Sequence, residues 1–315
     1  MAITSALSPD VVKTALDDVF VQEYEYPVGP GIATAETPAI FKQMTIANAA
    51  HIEEVLSGGG GLWDTKAEEE AVRLASPRVA NKATYVAVTF AHGLQISKEF
   101  FDDNEHGTYE AMVRKFATNA RATREKTAFS LYRNAFTTTL TADGVAWISS
   151  SHTTIEGLTV DNRIASNPVL SDTSLNTAII QLLELKSQDG VLMGEQPATL
   201  LVPSALYKLA QQITGSALVS DNANNAINVY STTYNIAVYH SPYLGASQGG
   251  SDTAWFLLGR NHAATRYIRQ EITTDLIDYI YSSNNNYVYK GMYRETYGVT
   301  DYVGAVGSSG DGSAS

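Results

Sequence analysis

The chain has 315 residues, of which 44% are hydrophobic and 17% are charged, with a net charge of −12 and no cysteine. This composition is typical of a globular protein, and the lack of cysteine excludes disulfides and thiolate metal sites. The negative charge argues against tight binding of nucleic acid through the overall charge, because such binding needs concentrated Lys and Arg.

The first 39 residues predict one short helix and an extended segment after it. Ser8 to Val21 has an apolar face and begins with a cap residue followed by proline. Pro27, Pro30 and Pro38 then exclude a continuous helix and favour an extended arm. The arm is compatible with contact to a neighbouring molecule and equally with a loop on its own domain.

Residues 40 to 97 contain two β-rich segments around a glycine-rich and charged middle. Phe41 to Ile46 and Ala83 to Ile96 have the composition of strands. Between them, Gly58 to Gly61 and Asp64 to Arg73 offer few core residues, and an isolated two-stranded ribbon is only marginally stable. We therefore expect the ribbon to lie against another subunit, although a flexible surface insertion fits the same residues. No Lys-Ser/Thr follows the glycines at the spacing of a phosphate loop.

A long helix is predicted from about Thr108 to Phe136. Its apolar face comprises residues spaced by three and four, namely Tyr109, Met112, Val113, Phe116, Ala120, Thr123, Thr127 and Leu131. At 1.5 Å per residue it would be about 40 Å long and would form a structural spine. Its flanks carry Arg114, Arg121 and Arg124 on one side and Lys115, Lys126 and Arg133 on the other. This basic region could pair with acidic neighbours or face enclosed DNA, and exposure to solvent alone explains it equally well.

The middle of the chain predicts a compact α/β lobe of about 95 residues, a size within the normal domain range. A turn at Asp143-Gly144 and a strand from Val145 to Ile148 precede it. The lobe then shows a helix capped by Asp172 or Thr173 and ending near Gly190. Its further elements are a strand at Thr199–Val202, a helix from Pro203-Ser204 to Gly215, and strands at Tyr234–His240 and Trp255–Leu258.

Two more strands, Thr274 to Tyr281 and Tyr287 to Val299, flank a polar turn near the end of the chain. Tyr287, Tyr289, Tyr293 and Tyr297 all occupy odd positions, so they share one strand face. That face suits a partly wet interface, or a half-buried sheet packed on the spine helix. Residues 307–315 are rich in Gly and Ser and are predicted to be mobile.

The motifs of catalysis and metal binding are missing from the sequence. The six histidines show no metal spacing, and Ser151-His152 alone does not make a catalytic pair, which also needs a third, orienting group. Gly-x-Ser-x-Gly does not occur, and Asp102-Asp103 suits the first turn of a helix. We therefore expect no enzyme activity, no catalytic residue, no cofactor and no metal.

The order of these elements resembles the major capsid proteins of tailed bacteriophages, which share the Hong Kong-ninety-seven coat fold. The segment from Val79 through Glu99 into the spine helix carries part of the resemblance, as does Asp143-Gly144-Val145-Ala146 with Ser149 to His152 after it. Gln196–Leu206, Asn225–Val229, Ser241–Leu244, Ala254–Leu258 and Tyr297–Asp301 continue it in the expected order. The similarity covers roughly residues 35 to 305.

The resemblance implies an α+β coat fold and a division of the chain into named parts. Residues 1–39 would be the N-terminal arm and 40–97 an extended β-hairpin loop. Residues 98–165 with 264–306 would form a peripheral domain with the spine helix and a β-sheet, 166–263 an α/β axial domain, and 307–315 a flexible tail.

The resemblance also implies a function: self-assembly into the pentamers and hexamers of an icosahedral phage head that encloses double-stranded DNA without sequence specificity. Expected partners are copies of the chain itself, a portal protein, and separate scaffolding and decoration proteins, with no membrane involved. The virion would be assembled in the cytoplasm of the bacterial host. Contacts between subunits are expected at Trp63, Lys66, Arg73, Arg78, Arg114, Arg121 and Arg124.

Two departures from the founding member of the family matter. Too few residues precede the loop for a long cleaved scaffold segment, so we expect a separate scaffolding protein or none. No local pattern around Lys66 or Lys82 identifies a cross-linking pair, and no covalent cross-link is predicted.

Three alternatives stay open at this point. An encapsulin, which encloses cargo enzymes in a shell of the same coat fold, is the nearest. An enzyme that uses the α/β lobe is the second. A tail or adaptor protein that forms rings or tubes is the third.

Overall fold

The computed structural model describes residues 9–26, 28–57, 61–97, 107–215, 230–277 and 286–313. The helices within them are α1 (Pro9–Tyr24), α2 (Gly107–Ala128), α3 (Ser130–Arg133), α4 (Asp172–Glu184) and α5 (Tyr207–Gly215). The strands are β1 (Lys42–Thr45), β2 (Ala50–Ser57), β3 (Arg78–Val86), β4 (Val88–Ser97), β5 (His152–Thr153), β6 (Thr159–Val160), β7 (Pro197–Pro203), β8 (Ala237–Ser241), β9 (Trp255–Gly259), β10 (Ala264–Ile277), β11 (Asn286–Val299) and β12 (Ala305–Ser308). The features predicted at Ser8, Gly58–Gly60, Asp102-Asp103 and Asn225–Val229 lie outside the described residues, as do residues 278–285.

The first sheet has the strand order β1-β10-β11-β4, with β1 parallel to β10 and the other pairs antiparallel. Helices α1 and α2 cover one face, where Phe20, Val113 and Tyr289 pack in one buried cluster. Of the tyrosine row, Tyr289 is 0% exposed and Tyr293 4% exposed. The half-buried sheet packed on the spine helix is therefore confirmed. Strand β10 begins at Ala264, well before the predicted Thr274.

The second sheet has the order β12-β9-β7-β8, and the predicted strands at Thr199–Val202 and Trp255–Leu258 are confirmed as parts of β7 and β9. Both are continuous apolar runs that are buried on both faces, which is why their sequence identifies them. Strand β8 starts at Ala237 rather than Tyr234, because Tyr234 ends a π-turn. Helix α5 follows a 3₁₀ turn at Ser204–Leu206 and reaches Gly215 as predicted.

Helix α4 differs from the prediction at both ends. Ser171, rather than Asp172 or Thr173, is the N-cap, because its Oγ accepts a hydrogen bond from the backbone N–H of Ser174. The helix ends at Glu184 rather than near Gly190, since Leu185 is extended and buried in the core of the second sheet.

The spine helix is shorter than predicted. Helix α2 has 22 residues and is therefore about 33 Å long, and it stops at Ala128 instead of continuing to Phe136. A one-residue interruption at Phe129 leads into the short helix α3. The interruption allows Phe129 and Tyr132 to enter a central aromatic cluster with Phe41 and Phe256. This cluster joins the two sheets into one body.

The predicted ribbon pairs differently in the structure. The segment Phe41–Ile46 supplies β1, which pairs with β10 and not with the segment Ala83–Ile96. That second segment is divided between β3 and β4 at Ala87, which is buried against Tyr267 together with Ile46. The partner of β3 is β2, which the sequence did not predict. The hairpin therefore consists of β2 and β3 and excludes residues 41–46 and 88–97, because β1 and β4 belong to the first sheet.

Two smaller predictions are wrong. Val145–Ile148 is not a strand beyond one bridge between Leu140 and Ala146, because Asp143 Oδ1 accepts from Val145 N and holds a turn. The end of the chain is not a mobile tail from residue 307, since Gly307 and Ser308 belong to β12. Ser308 is fully buried, and its Oγ donates to the carbonyl of Pro168 at 2.7 Å.

Candidate assembly surface

The hairpin carries a long exposed loop. Every residue from Gly61 to Val79 is exposed, and residues 61–77 form neither helix nor strand. Several of these residues are large and apolar, and their exposed fractions are high: Leu62 77%, Trp63 99%, Val72 69% and Leu74 88%. Leu62, Trp63 and Val72 line one hollow, and grouped exposed apolar side chains mark a site of interaction, whereas isolated ones do not.

The base of the hairpin, in contrast, is fixed to the body. The ring of Tyr85 stacks on that of Tyr267 with 4.5 Å between centroids, and its hydroxyl lies 3.0 Å from Thr300 Oγ1. The carboxylate of Glu53 accepts hydrogen bonds from the hydroxyls of Tyr267 and Thr300. Burial raises the pKa of Tyr85 to about 12, so this hydroxyl stays protonated at neutral pH.

A glycine makes this base possible. A side chain at Gly298 would place its Cβ 2.0 Å from Cε1 of Tyr85, so the ring packs directly against the backbone of β11. The loop is thus presented by a rigid base and is not the end of a loosely attached ribbon.

The structure brings together Trp63, Lys66 and Arg73, three of the residues expected to contact other subunits. They line one hollow of about 640 Å³ on the loop, next to Asp189. Arg73 Nη1 pairs with Asp64 Oδ2 at 2.6 Å, and Lys66 Nζ donates to the carbonyl of Ala67 at 3.1 Å. Because both side chains are exposed, these contacts contribute little to stability and leave the groups accessible.

Arg78 lies at the start of β3, apart from that hollow. Its Nη2 pairs with Glu156 Oε1 at 2.9 Å, and both side chains are at least half exposed. The hydroxyl of Ser57 donates to Asp189 on the same side. These contacts hold the end of the hairpin against residues 156 and 189 of its own subunit.

The three arginines of the spine helix have three different environments. Arg114 is exposed. Arg121 Nη1 donates to the carbonyls of Glu23 and Tyr26 at 3.3 Å each, so it ties α1 to α2. Arg124 is only 2% exposed. The expectation that Arg124 contacts another subunit is therefore wrong, because its guanidinium is enclosed by its own chain.

Arg124 belongs to a buried charge network. Its Nε lies 3.5 Å from Glu295 Oε1, its Nη2 lies 3.3 Å from Glu271 Oε2, and its Nη1 bonds to Glu36. Arg266 shares the carboxylates of Glu295 and Glu271. Burial alone would lower the pKa of Arg266, but the charges of Glu295, Tyr297 and Glu271 and the hydrogen bond to Glu295 together outweigh burial and raise it. The network joins the arm, the spine helix and two strands of the first sheet.

Beside the network, Glu125 is 7% exposed and accepts hydrogen bonds from the backbone N–H of Ala35. Burial raises the pKa of Glu125 to about 7 despite that hydrogen bond and the nearby charge of Arg124. This carboxyl thus titrates near neutral pH, at the contact between the arm and the spine helix.

His152 does not act on its neighbour Ser151. Its Nδ1 lies 2.7 Å from Asp143 Oδ2, and its Nε2 lies 3.1 Å from the carbonyl of Trp147. Both ring nitrogens therefore face acceptors, and neither is directed at a serine hydroxyl. Burial would raise the pKa of Asp143, but its bonds with His152 and Thr141 lower it. The pair is a structural contact that fixes the turn at residue 143.

Within the part of the chain that the structure describes, no group of three or more His, Cys, Asp or Glu side chains could hold a metal ion. No described helix combines the length and the apolar character needed to cross a bilayer.

Sequence reasoning missed both the hairpin base and the charge network. Neither had a readable signal. Along β2 the apolar Ile52 and Leu56 are exposed, whereas the polar His51 and Glu53 are less exposed, so the hydrophobic pattern does not mark the inner face. Residues Glu36, Arg266 and Glu295 of the network come from distant segments.

Comparison with known proteins gives the class of this protein. A family model described as phage capsid protein matches residues 81–308. The chain therefore belongs to the phage capsid protein family, and the resemblance seen in the sequence is confirmed. No curated protein sequence matches the chain.

Solved structures share the fold. A chain of Microbacterium phage Oxtober96 is 11% identical with a TM-score of 0.55, over 90% of this chain and 93% of that chain. A virus-like particle from Pyrococcus furiosus is 9% identical with a TM-score of 0.54, over 94% and 98% of the two chains. The capsid of the cyanophage P-SCSP1u is 13% identical with a TM-score of 0.52, over 89% of each chain. The predicted α+β coat fold is confirmed.

Proposed function

We propose that this chain is the major capsid protein of a tailed phage and that it assembles into the pentamers and hexamers of an icosahedral head enclosing double-stranded DNA. Membership of the phage capsid protein family supports the general role of a shell subunit. The finer proposal is carried by one observation: Trp63 is 99% exposed on a loop whose base is rigidly packed.

Burial of the exposed loop stabilises an assembly. Full burial of a large apolar side chain contributes about 1.5–3 kcal/mol, and Leu62, Trp63, Val72 and Leu74 gain little of it within one subunit. A neighbouring subunit supplies the missing contacts. Because the loop and the surface that receives it differ, each contact is head-to-tail and closes into a ring when the rotation permits.

The proposed relation to DNA is enclosure rather than affinity. The net charge of −12 provides no general attraction for phosphate. A closed shell keeps DNA inside without contacting its bases, so the enclosure does not depend on the DNA sequence. A portal protein and separate scaffolding and decoration proteins are proposed partners on the strength of family membership alone, and assembly in the host cytoplasm is proposed on the same ground.

Negative-stain electron microscopy of the purified protein tests this proposal. The expected result is closed shells of uniform size, with pentameric or hexameric rings when assembly is incomplete. A protein that stays monomeric at high concentration contradicts it, and open tubes would indicate a tail or adaptor protein.

A second candidate, an encapsulin-type shell, is favoured by the acidic charge and by the likeness to a virus-like particle. The contents of shells purified from the phage host during infection distinguish the two. Nuclease-protected double-stranded DNA supports the phage head, whereas a single co-purifying protein cargo without DNA supports the encapsulin.

A further inference from the structure

An aromatic groove lies on the first sheet, away from the second sheet. It has a volume of about 360 Å³ and runs between the spine helix α2 and strands β4 and β11. Its walls include Phe20, Phe90, Phe116 and Tyr293. The rings of Phe90 and Tyr293 stack with 5.0 Å between centroids, and those of Phe20 and Phe116 are 5.9 Å apart. The groove is thus already formed in the single subunit.

The groove also adjoins an open edge. Strand β4 is the outer strand of its sheet, and the groove is lined by its residues Thr89 to His92. Unpaired strand edges favour association, and proteins usually cover or protect them. An apolar groove beside an outer strand therefore indicates a surface that another chain covers.

We propose that the groove receives Trp63 from a neighbouring copy of this chain, an inference that rests on the proposed function. The groove is at the small end of the usual range for binding pockets, about 300–1,000 Å³, and suits one large aromatic side chain. Trp63 is 99% exposed and free to enter such a pocket, whereas the other two tryptophans, Trp147 and Trp255, are each 0% exposed.

Charge favours the same pairing. The loop from Asp64 to Arg73 contains four carboxylates and two basic groups, so it is acidic. Lys115 and Lys126 are exposed on the spine helix. At 100° per residue, both lie on the flank of the helix next to the groove-lining positions Phe116 and Asn119. Docking Trp63 would therefore bring an acidic loop to a basic rim.

The subunit does not fill its own groove. The end of its hairpin is held against residues 156 and 189 by the contacts of Arg78 with Glu156 and of Ser57 with Asp189. The groove, in contrast, is built from α1, α2 and the first sheet. A projecting side chain and its pocket on different surfaces of one subunit produce a head-to-tail contact.

Cysteine cross-linking tests this inference directly, because the chain has no cysteine of its own. One preparation carries Leu62→Cys, which leaves the neighbouring Trp63 intact, and a second carries Asn119→Cys, at an exposed residue of the groove. The two are mixed under assembly conditions and treated with a short bis-maleimide, which links thiols only when the loop lies at the groove. The expected product is a covalent dimer that contains one chain of each kind.

A matched control pairs Leu62→Cys with Thr177→Cys, an exposed residue of α4. It should give no covalent dimer. Preferential linking to position 177 would overturn the inference, and so would the absence of linkage at position 119. If shells form in either case, the proposed function stands and only the groove assignment fails.

A second variant gives an independent readout that needs no cross-linking. Ala120→Trp fills the groove from the spine helix, at a residue that is only partly buried. The expected result is loss of assembly with an unchanged thermal unfolding transition. Normal shells from a well-folded Ala120→Trp protein would overturn the inference.

Discussion

Arg266 donates from Nε to Glu295 Oε2 at 2.8 Å, and the two side chains are 3% and 1% exposed. The same carboxylate group faces Arg124 and accepts from the hydroxyl of Tyr297 at 2.8 Å. One buried acid thus holds two buried arginines in place. The network fixes the N-terminal arm and the spine helix to the sheet that presents the assembly surface.

Replacing Glu295 should strongly destabilise the subunit. Glu295→Ala leaves two buried guanidinium groups without their main counter-charge, and breaking a buried ion pair typically costs about 3–5 kcal/mol. Urea unfolding of the unassembled protein measures the loss. Arg114→Ala, at an exposed site of the spine helix, is the control and should change the free energy of unfolding by less than about 0.5 kcal/mol. Equal stability of the two variants would contradict this role of the network.

The carboxyl of Glu125 should make stability depend on pH. Its pKa is raised by burial to about 7 in the folded protein, from a usual value of 4.5. The folded state therefore binds more protons between these values. Stability is fully present below pH 4.5 and is lost as the pH rises through about 7, by a maximum on the order of 3 kcal/mol.

Glu125→Gln tests this dependence, because the glutamine keeps an acceptor for the N–H of Ala35 and removes the titration. The free energy of unfolding is measured for both proteins from pH 4.5 to pH 8. We expect the wild type to lose stability relative to the variant across that range. Parallel curves would show that Glu125 does not titrate there.

The elements of the fold that could be predicted are those that depend on neighbouring residues in the sequence. Strands β7 and β9 are short apolar runs between turn residues, and the spine helix repeats its apolar positions over several turns. The pairing of β2 with β3 was not predictable, because the partner of a strand depends on contacts such as that between Tyr85 and Tyr267. Local composition carries no information about such contacts.

The candidate site was predictable in part. The exposed residues Trp63, Lys66 and Arg73 stand in a segment without core residues, and the structure places them together. Arg124 was misassigned because the helical pattern predicts that charged residues face the solvent. Its charge partners, Glu295 and Glu36, are far away in the sequence, so no local pattern indicates that it is buried. Ser308 was misassigned because Gly/Ser composition suggests mobility, although its backbone pairs with Trp255.

The glycine at the hairpin base should not tolerate a side chain. In Gly298→Ala the new Cβ would meet the ring of Tyr85 at 2.0 Å, so the ring must leave its position against Tyr267. Overpacking of this kind costs about 1–3 kcal/mol. Hydrogen exchange should show faster exchange in β2 and β3 and unchanged exchange in the second sheet.

Gly93→Ala is the matched control for that experiment. Its Cβ would lie 3.5 Å from Val288 Cγ1, an ordinary contact in the same sheet. This variant should leave the exchange of the hairpin unchanged. Equal effects of the two substitutions would mean that the base of the hairpin does not depend on the approach of Tyr85.

Trp63 should matter for assembly and not for folding. Because the side chain is 99% exposed, Trp63→Asp should shift the free energy of unfolding by less than about 0.5 kcal/mol. In sedimentation velocity the same variant should remain unassembled at concentrations where the wild type forms shells. Trp63→Phe retains an aromatic ring and should recover part of the assembly. Shells formed by Trp63→Asp would show that the loop is dispensable.

Acrylamide quenching of tryptophan fluorescence tests most directly whether assembly buries the loop. Trp147 and Trp255 are buried in the subunit, so quenchable emission reports on Trp63. The wild type is measured as dissociated subunits and as purified shells. We predict that the quenchable fraction seen in the subunits disappears in the shells, with emission shifted to shorter wavelength. Equal quenching in the two states would contradict the account, because the loop would then remain as exposed in the particle as in the single chain.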